Sequence, residues 1–154
     1  MATTKLFSDI RIKFALFYFL IAAILFIMVQ SKVFSEKTKL EEMNFYYKSG
    51  WSLIFAILGF CVLVLKICIN SISDINANKF TEVESNKIKL RYYSYYPIMI
   101  SVLALLSTVI SMNSFKLPKM EYFVASGLLA FFMGYFVDSL PDQIEKLSEK
   151  VSGK

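Results

Sequence analysis

The chain has 154 residues, room for one domain, with 56% hydrophobic, 16% aromatic and 19% charged residues and a formal charge of +5. That balance is more apolar than the soluble average, and the absence of histidine excludes a His-ligated metal and a histidine acid–base residue. Cys61 and Cys68 would lie about 10 Å apart along a helix, too far to bridge each other, so a disulfide framework is excluded as well.

The charges fall in clusters separated by four long apolar stretches. This pattern predicts an all-α integral membrane protein: a single domain over 1–154 with four transmembrane helices and a short C-terminal amphipathic helix. The first stretch, FALFYFLIAAILFIMV from Phe14 to Val29, follows Lys5, Arg11 and Lys13. It is long for a signal-peptide core and no small-x-small cleavage pattern comes after it, so an uncleaved span over 12–31 is expected. A mixed-charge loop follows, in which Glu36 to Tyr47 reads as a short surface helix. Tyr46, Tyr47 and Trp51 read as rings at headgroup level.

The second span, over 51–69, carries one charge, Lys66, near its end. Residues 70–95 form a hydrophilic cytoplasmic loop ending in a cluster of Lys87, Lys89, Arg91, Tyr92, Tyr93, Tyr95 and Tyr96. Cations for headgroups and tyrosines for the interfacial belt suit a membrane-interface or partner-docking segment. The third span, over 97–114, opens on Pro97, which fits a first helical turn. Pro118 breaks the chain before a fourth span over 121–139. Ile144, Leu147 and Val151 then share one side of an expected tail helix within 140–154.

Of the 17 lysines and arginines, eleven lie on the side of the two termini and six on the side of the other two loops. Both termini are therefore expected in the cytoplasm, with the plasma (inner) membrane of a bacterium as the setting.

Helices in hydrocarbon associate through small and hydroxyl residues. On a helical wheel Ser52, Ala56 and Gly59 share a side of the second span with Lys66. Ser101, Ala104, Thr108 and Ser111 share a side of the third, and Ser126, Ala130 and Gly134 form a small-xxx-small seam on the fourth. These faces are expected to pack helices together or to line a pore. Lys66 and Asp138 fall at similar depth and form a candidate ion pair. No ionisable residue lies near a midplane, which argues against a proton- or ion-coupled carrier.

No phosphate-binding glycine loop, metalloprotease motif or paired-cysteine motif occurs. No enzyme activity, cofactor, metal or direct nucleic-acid contact is expected. The leading expectation is a homo-oligomeric membrane scaffold or sensor that recruits a cytoplasmic protein partner, for instance as the membrane component of an antiviral defence system. The alternatives are an oligomeric channel or permeabilising effector, and an immunity protein against a membrane-inserted toxin.

Overall fold

The computed structural model describes residues 10–76 and 96–139, and these are all helix, turn and connecting loop. The helices are α1 (Ile10–Val33), α2 (Phe45–Asn76), α3 (Tyr96–Ser114) and α4 (Lys119–Tyr135), followed by a 3-10 turn at Val137–Ser139. Three of them contain segments long and apolar enough to cross a membrane: Ala15–Val33, Phe45–Asn70 and Tyr96–Ser114. The 17 residues of α4 rise about 26 Å, somewhat short of the roughly 30 Å hydrocarbon layer. The tail helix expected over 140–154 lies outside the described residues.

Helix α2 is longer than the apolar pattern implies. Its 32 residues rise about 48 Å, well over the thickness of the hydrocarbon layer. Hydropathy marks where a helix is greasy, whereas the backbone ladder continues into any segment free of a breaker. Phe45–Gly50 and Asn70–Asn76 contain no proline, and α2 runs through both. The expected surface helix over Glu36–Tyr47 does not form as such. Residues 35–43 make two turns, closed by Thr38 N donating to Ser35 O and Met43 N to Leu40 O, and helix starts only at Phe45. Met43 is buried and Leu40 half-buried, so the segment folds back on its apolar residues instead of presenting one helical side.

Contacts fix the helix directions. Gly50 lies against Val29, while the Cys61 thiol points to the carbonyl of Ala15 at 3.4 Å, so α1 and α2 are antiparallel. Phe60 meets Tyr96 at 5.6 Å between ring centroids, and residues 50–53 meet 101–105, so α2 and α3 are antiparallel too. Trp51 pairs with Phe123 and Gly59 with Phe131, which makes α2 and α4 parallel. Both short connections, 34–44 and 115–118, thus share one end of the molecule. Lys119 ties them together there by donating to the carbonyls of Lys32 (2.9 Å) and Ser35 (2.5 Å).

Helix α2 is the centre. More than half of its apolar window is buried, against about a sixth for α1 and just over a quarter for α3. It packs along α1, α3 and α4, and α3 also packs on α4, whereas α1 makes no comparable seam with α3 or α4. The result is a three-helix core of α2, α3 and α4 with α1 leaning on α2. The outward sides carry large apolar residues, among them Leu20 and Ile27 on α1, Val102 and Leu106 on α3, and Val124 and Phe132 on α4.

Candidate functional site

The small-residue faces of α2 and α4 meet inside the chain. Ser52, Ala56 and Gly59 on α2, and Ser126, Ala130 and Gly134 on α4, are all buried. A Cβ placed on Gly59 would overlap the carbonyl oxygen of Phe131 and come within 2.9 Å of Tyr135 N. One placed on Gly134 would overlap the carbonyl oxygen of Ala56. A built Cβ takes the place of one glycine hydrogen, so at each position that Cα–H points at the facing carbonyl. Such Cα–H···O contacts contribute about 0.5–1 kcal/mol each, and they require both residues to be glycine.

Two polar tethers lie on either side of this crossing. Toward the connection end, Trp51 Nε1 donates to Phe123 O at 2.7 Å, with the indole packed among Phe26, Phe34, Phe55 and Phe123. Trp51, read from the sequence as a ring at headgroup level, is 6% exposed. Its N–H has found a carbonyl within the protein, which removes the need for water or headgroups. Toward the opposite end, Lys66 Nζ donates to Tyr135 Oη at 3.0 Å and sits 5.4 Å from the ring centroid. The expected partner Asp138 has its backbone in the 3-10 turn, and its side chain lies outside the described residues.

On α3 the buried side is Tyr96, Ile100, Ala104, Ser107, Thr108 and Ser111. Ala104, Thr108 and Ser111 are where the wheel puts them. Ser101 is exposed, at the edge of this side, and its hydroxyl donates to Pro97 O at 2.8 Å. Ser107 was missed because the wheel centred the face one residue too far round. Three hydroxyls of the core bond back to their own helix. Ser107 and Thr108 both donate to Ala104 O at 2.8 Å, and Ser126 to Phe123 O at 3.2 Å. This pattern satisfies a hydroxyl in hydrocarbon without a partner helix or water. Ser52, Ser111 and Tyr122 are different: their hydroxyls are buried and have no hydrogen-bond partner.

Of the aromatic–basic cluster, Lys87, Lys89, Arg91, Tyr92, Tyr93 and Tyr95 lie outside the described residues. Tyr96 opens α3 and is buried against Phe60, so it belongs to the helix packing and not to an exposed docking surface. Among the described residues no group of three or more Cys, Asp or Glu could hold a metal ion.

The described residues also build concave features, of which three bear on a site. An apolar cleft of about 240 Å³ opens between α1 and α3, floored by Gly50 and Leu53 of α2. A second, of about 330 Å³, lies beside α1 against Ile54 and Leu58. The third, of about 440 Å³, lies at the connection end and includes charged residues. Clefts along the length of α1 follow from its single-sided attachment. The third is built from both connections and from the ends of α2, α3 and α4.

The chain matches no protein-family model, no curated protein sequence and no solved structure. Its class is therefore defined by its own features: a helical protein with three helices able to cross a membrane, held together by a parallel glycine crossing.

Proposed function

We propose that the chain is a non-enzymatic, four-span membrane scaffold that forms homo-oligomers and recruits a cytoplasmic protein partner. In this reading α4 is the fourth span and both termini lie in the cytoplasm. The bilayer itself covers the apolar flanks of α3 and α4, and the partner docks on the segments after α2 and after α4. The setting that suits such a protein is a bacterial plasma membrane, as the membrane component of an antiviral defence system.

The observation that carries the reading is the internal use of the small-residue seams. With Gly59 and Gly134 each against the other helix's backbone, those seams hold one chain together and are not available to a second. The helix left for association between copies is α1, attached on one side only and exposing Leu16, Phe17, Leu20, Ile24 and Ile27. Helices in lipid associate through packing of such surfaces. The same observation weighs against the pore alternative, since Thr108 and Ser111 are enclosed by the chain's own core.

Alkaline extraction followed by native mass spectrometry in mild detergent tests this. The expected result is a protein retained in membranes and released as an oligomer, with cysteines introduced at Leu20 cross-linking between copies and cysteines at Val102 not. A strictly monomeric protein, or one freed by alkali, would overturn the proposal.

A further inference from the structure

The pocket at the connection end combines features that a helix-packing defect does not. It lies between the 34–44 connection, the start of α2 and the α3–α4 turn, with Lys48, Lys116 and Glu41 around it and Phe115 and Leu117 among its apolar walls. Its volume of about 440 Å³ falls in the range of small-ligand sites, about 300–1,000 Å³. Neither lysine makes an ion pair or hydrogen bond with another described residue.

Tyr122 also lines it. This residue is 2% exposed and its hydroxyl has no partner. Side chains on a helix lean toward its N-terminus, and the N-terminus of α4 is at this end, so the phenol leans toward the pocket. An unpaired buried hydroxyl is unfavourable, and because its oxygen is closed off from solvent, an acceptor in the pocket satisfies it once the ring shifts toward the cavity.

We propose that this pocket holds the phosphoethanolamine headgroup of a bilayer phospholipid. The charge pattern selects it. Lys48 and Lys116 flank a position for one phosphodiester anion, and Tyr122 donates to it from below. Glu41 then accepts from the primary ammonium, while Phe115 and Leu117 meet the glycerol end. A headgroup without a cation leaves the Glu41 carboxylate no opposite charge to meet, and a quaternary ammonium would offer Glu41 no N–H. The location fits, because the pocket is at the ends of helices that can cross a bilayer, where headgroups lie. The inference rests on the membrane reading. Alkaline extraction tests that reading separately, so headgroup selectivity can fail while membrane residence stands.

The test uses the full chain, delipidated in mild detergent and titrated with phosphatidylethanolamine, phosphatidylcholine or phosphatidylglycerol, with bound lipid counted by native mass spectrometry. The expected result is ethanolamine lipid held about tenfold more tightly than choline lipid, the equivalent of about 1.4 kcal/mol. The double variant K48Q/K116Q loses binding of both. E41Q removes the preference for ethanolamine and leaves glycerol lipid no weaker. Y122F weakens ethanolamine lipid several-fold while its thermal unfolding stays that of the parent. Equal retention of the three lipids by the unaltered protein would overturn the proposal, as would a preference that survives K48Q/K116Q. Soluble phosphoethanolamine binding as tightly as the lipid would overturn the bilayer as its source.

Discussion

Two glycines and one tryptophan carry the contact between α2 and α4. At Gly59 a methyl group would run into backbone, which cannot turn aside as a side chain can. At Gly127 it would meet only the side chains of Trp51 and Phe55, at 3.1–3.3 Å. Gly59→Ala is therefore expected to destabilise the protein by about 1–3 kcal/mol through overpacking, and Gly127→Ala by under about 1 kcal/mol. Unfolding titrations in mixed micelles measure the difference, and equal losses at the two sites would contradict the backbone contact. These residues were legible in the sequence as small-residue faces, because only small residues permit close helix approach. Which helix each face meets was not legible, since a glycine seam carries no address. The internal bond of Trp51 was hidden for a related reason: an indole N–H seeks an acceptor, and a backbone carbonyl such as Phe123 O has no side-chain signature.

The helices differ in how they are held. Helix α1 is apolar on every side, so hydropathy gave its length well and its orientation not at all; the expected span over 12–31 compares with a helix over Ile10–Val33. It lies on α2 alone, and its C-terminal end is fastened by Lys119 through the carbonyls of Lys32 and Ser35. A cation at these last carbonyls also complements the helix dipole. Reading the segment around Pro118 only as a break before the fourth span overlooked this, because both acceptors are main-chain atoms more than 80 residues away. Replacing Lys119 by Met removes both bonds and leaves the packing of α2, α3 and α4 alone. Amide hydrogen exchange is then expected to quicken at residues 32–38 and to stay unchanged at 56–64. Unaltered exchange at 32–38 would show that the lysine does not hold α1.

At the scale of the whole molecule, the hydroxyl residues of the core face inward, and three of them are self-contained. Ser107, Thr108 and Ser126 satisfy themselves on their own helices, so the polar stripe of α3 is compatible with a dry interior. The sequence made the helical class and the apolar segments plain, because length and hydropathy are properties of each stretch alone. It could not show that α2 would extend to 32 residues, or that the two connections would build a pocket lined by Lys48, Lys116 and Glu41. Those features depend on chain ends brought together in three dimensions.

The parallel crossing of α2 and α4 also constrains how the protein is made. Parallel helices cannot be neighbours in a hairpin, so α3 must be laid down between them before the glycines can meet. During synthesis the Ser52–Gly59 side of α2 waits, bare, for a helix that leaves the ribosome after α3. Assembly therefore depends on recognition between helices, and not on continuity of the chain between them. Separately encoded halves, 1–86 and 87–154, are expected to find each other when co-expressed and to co-purify as one complex. The same pair carrying Gly134→Leu is expected to stay apart. Halves that never associate would mean that the hairpin order, and not the crossing, directs assembly.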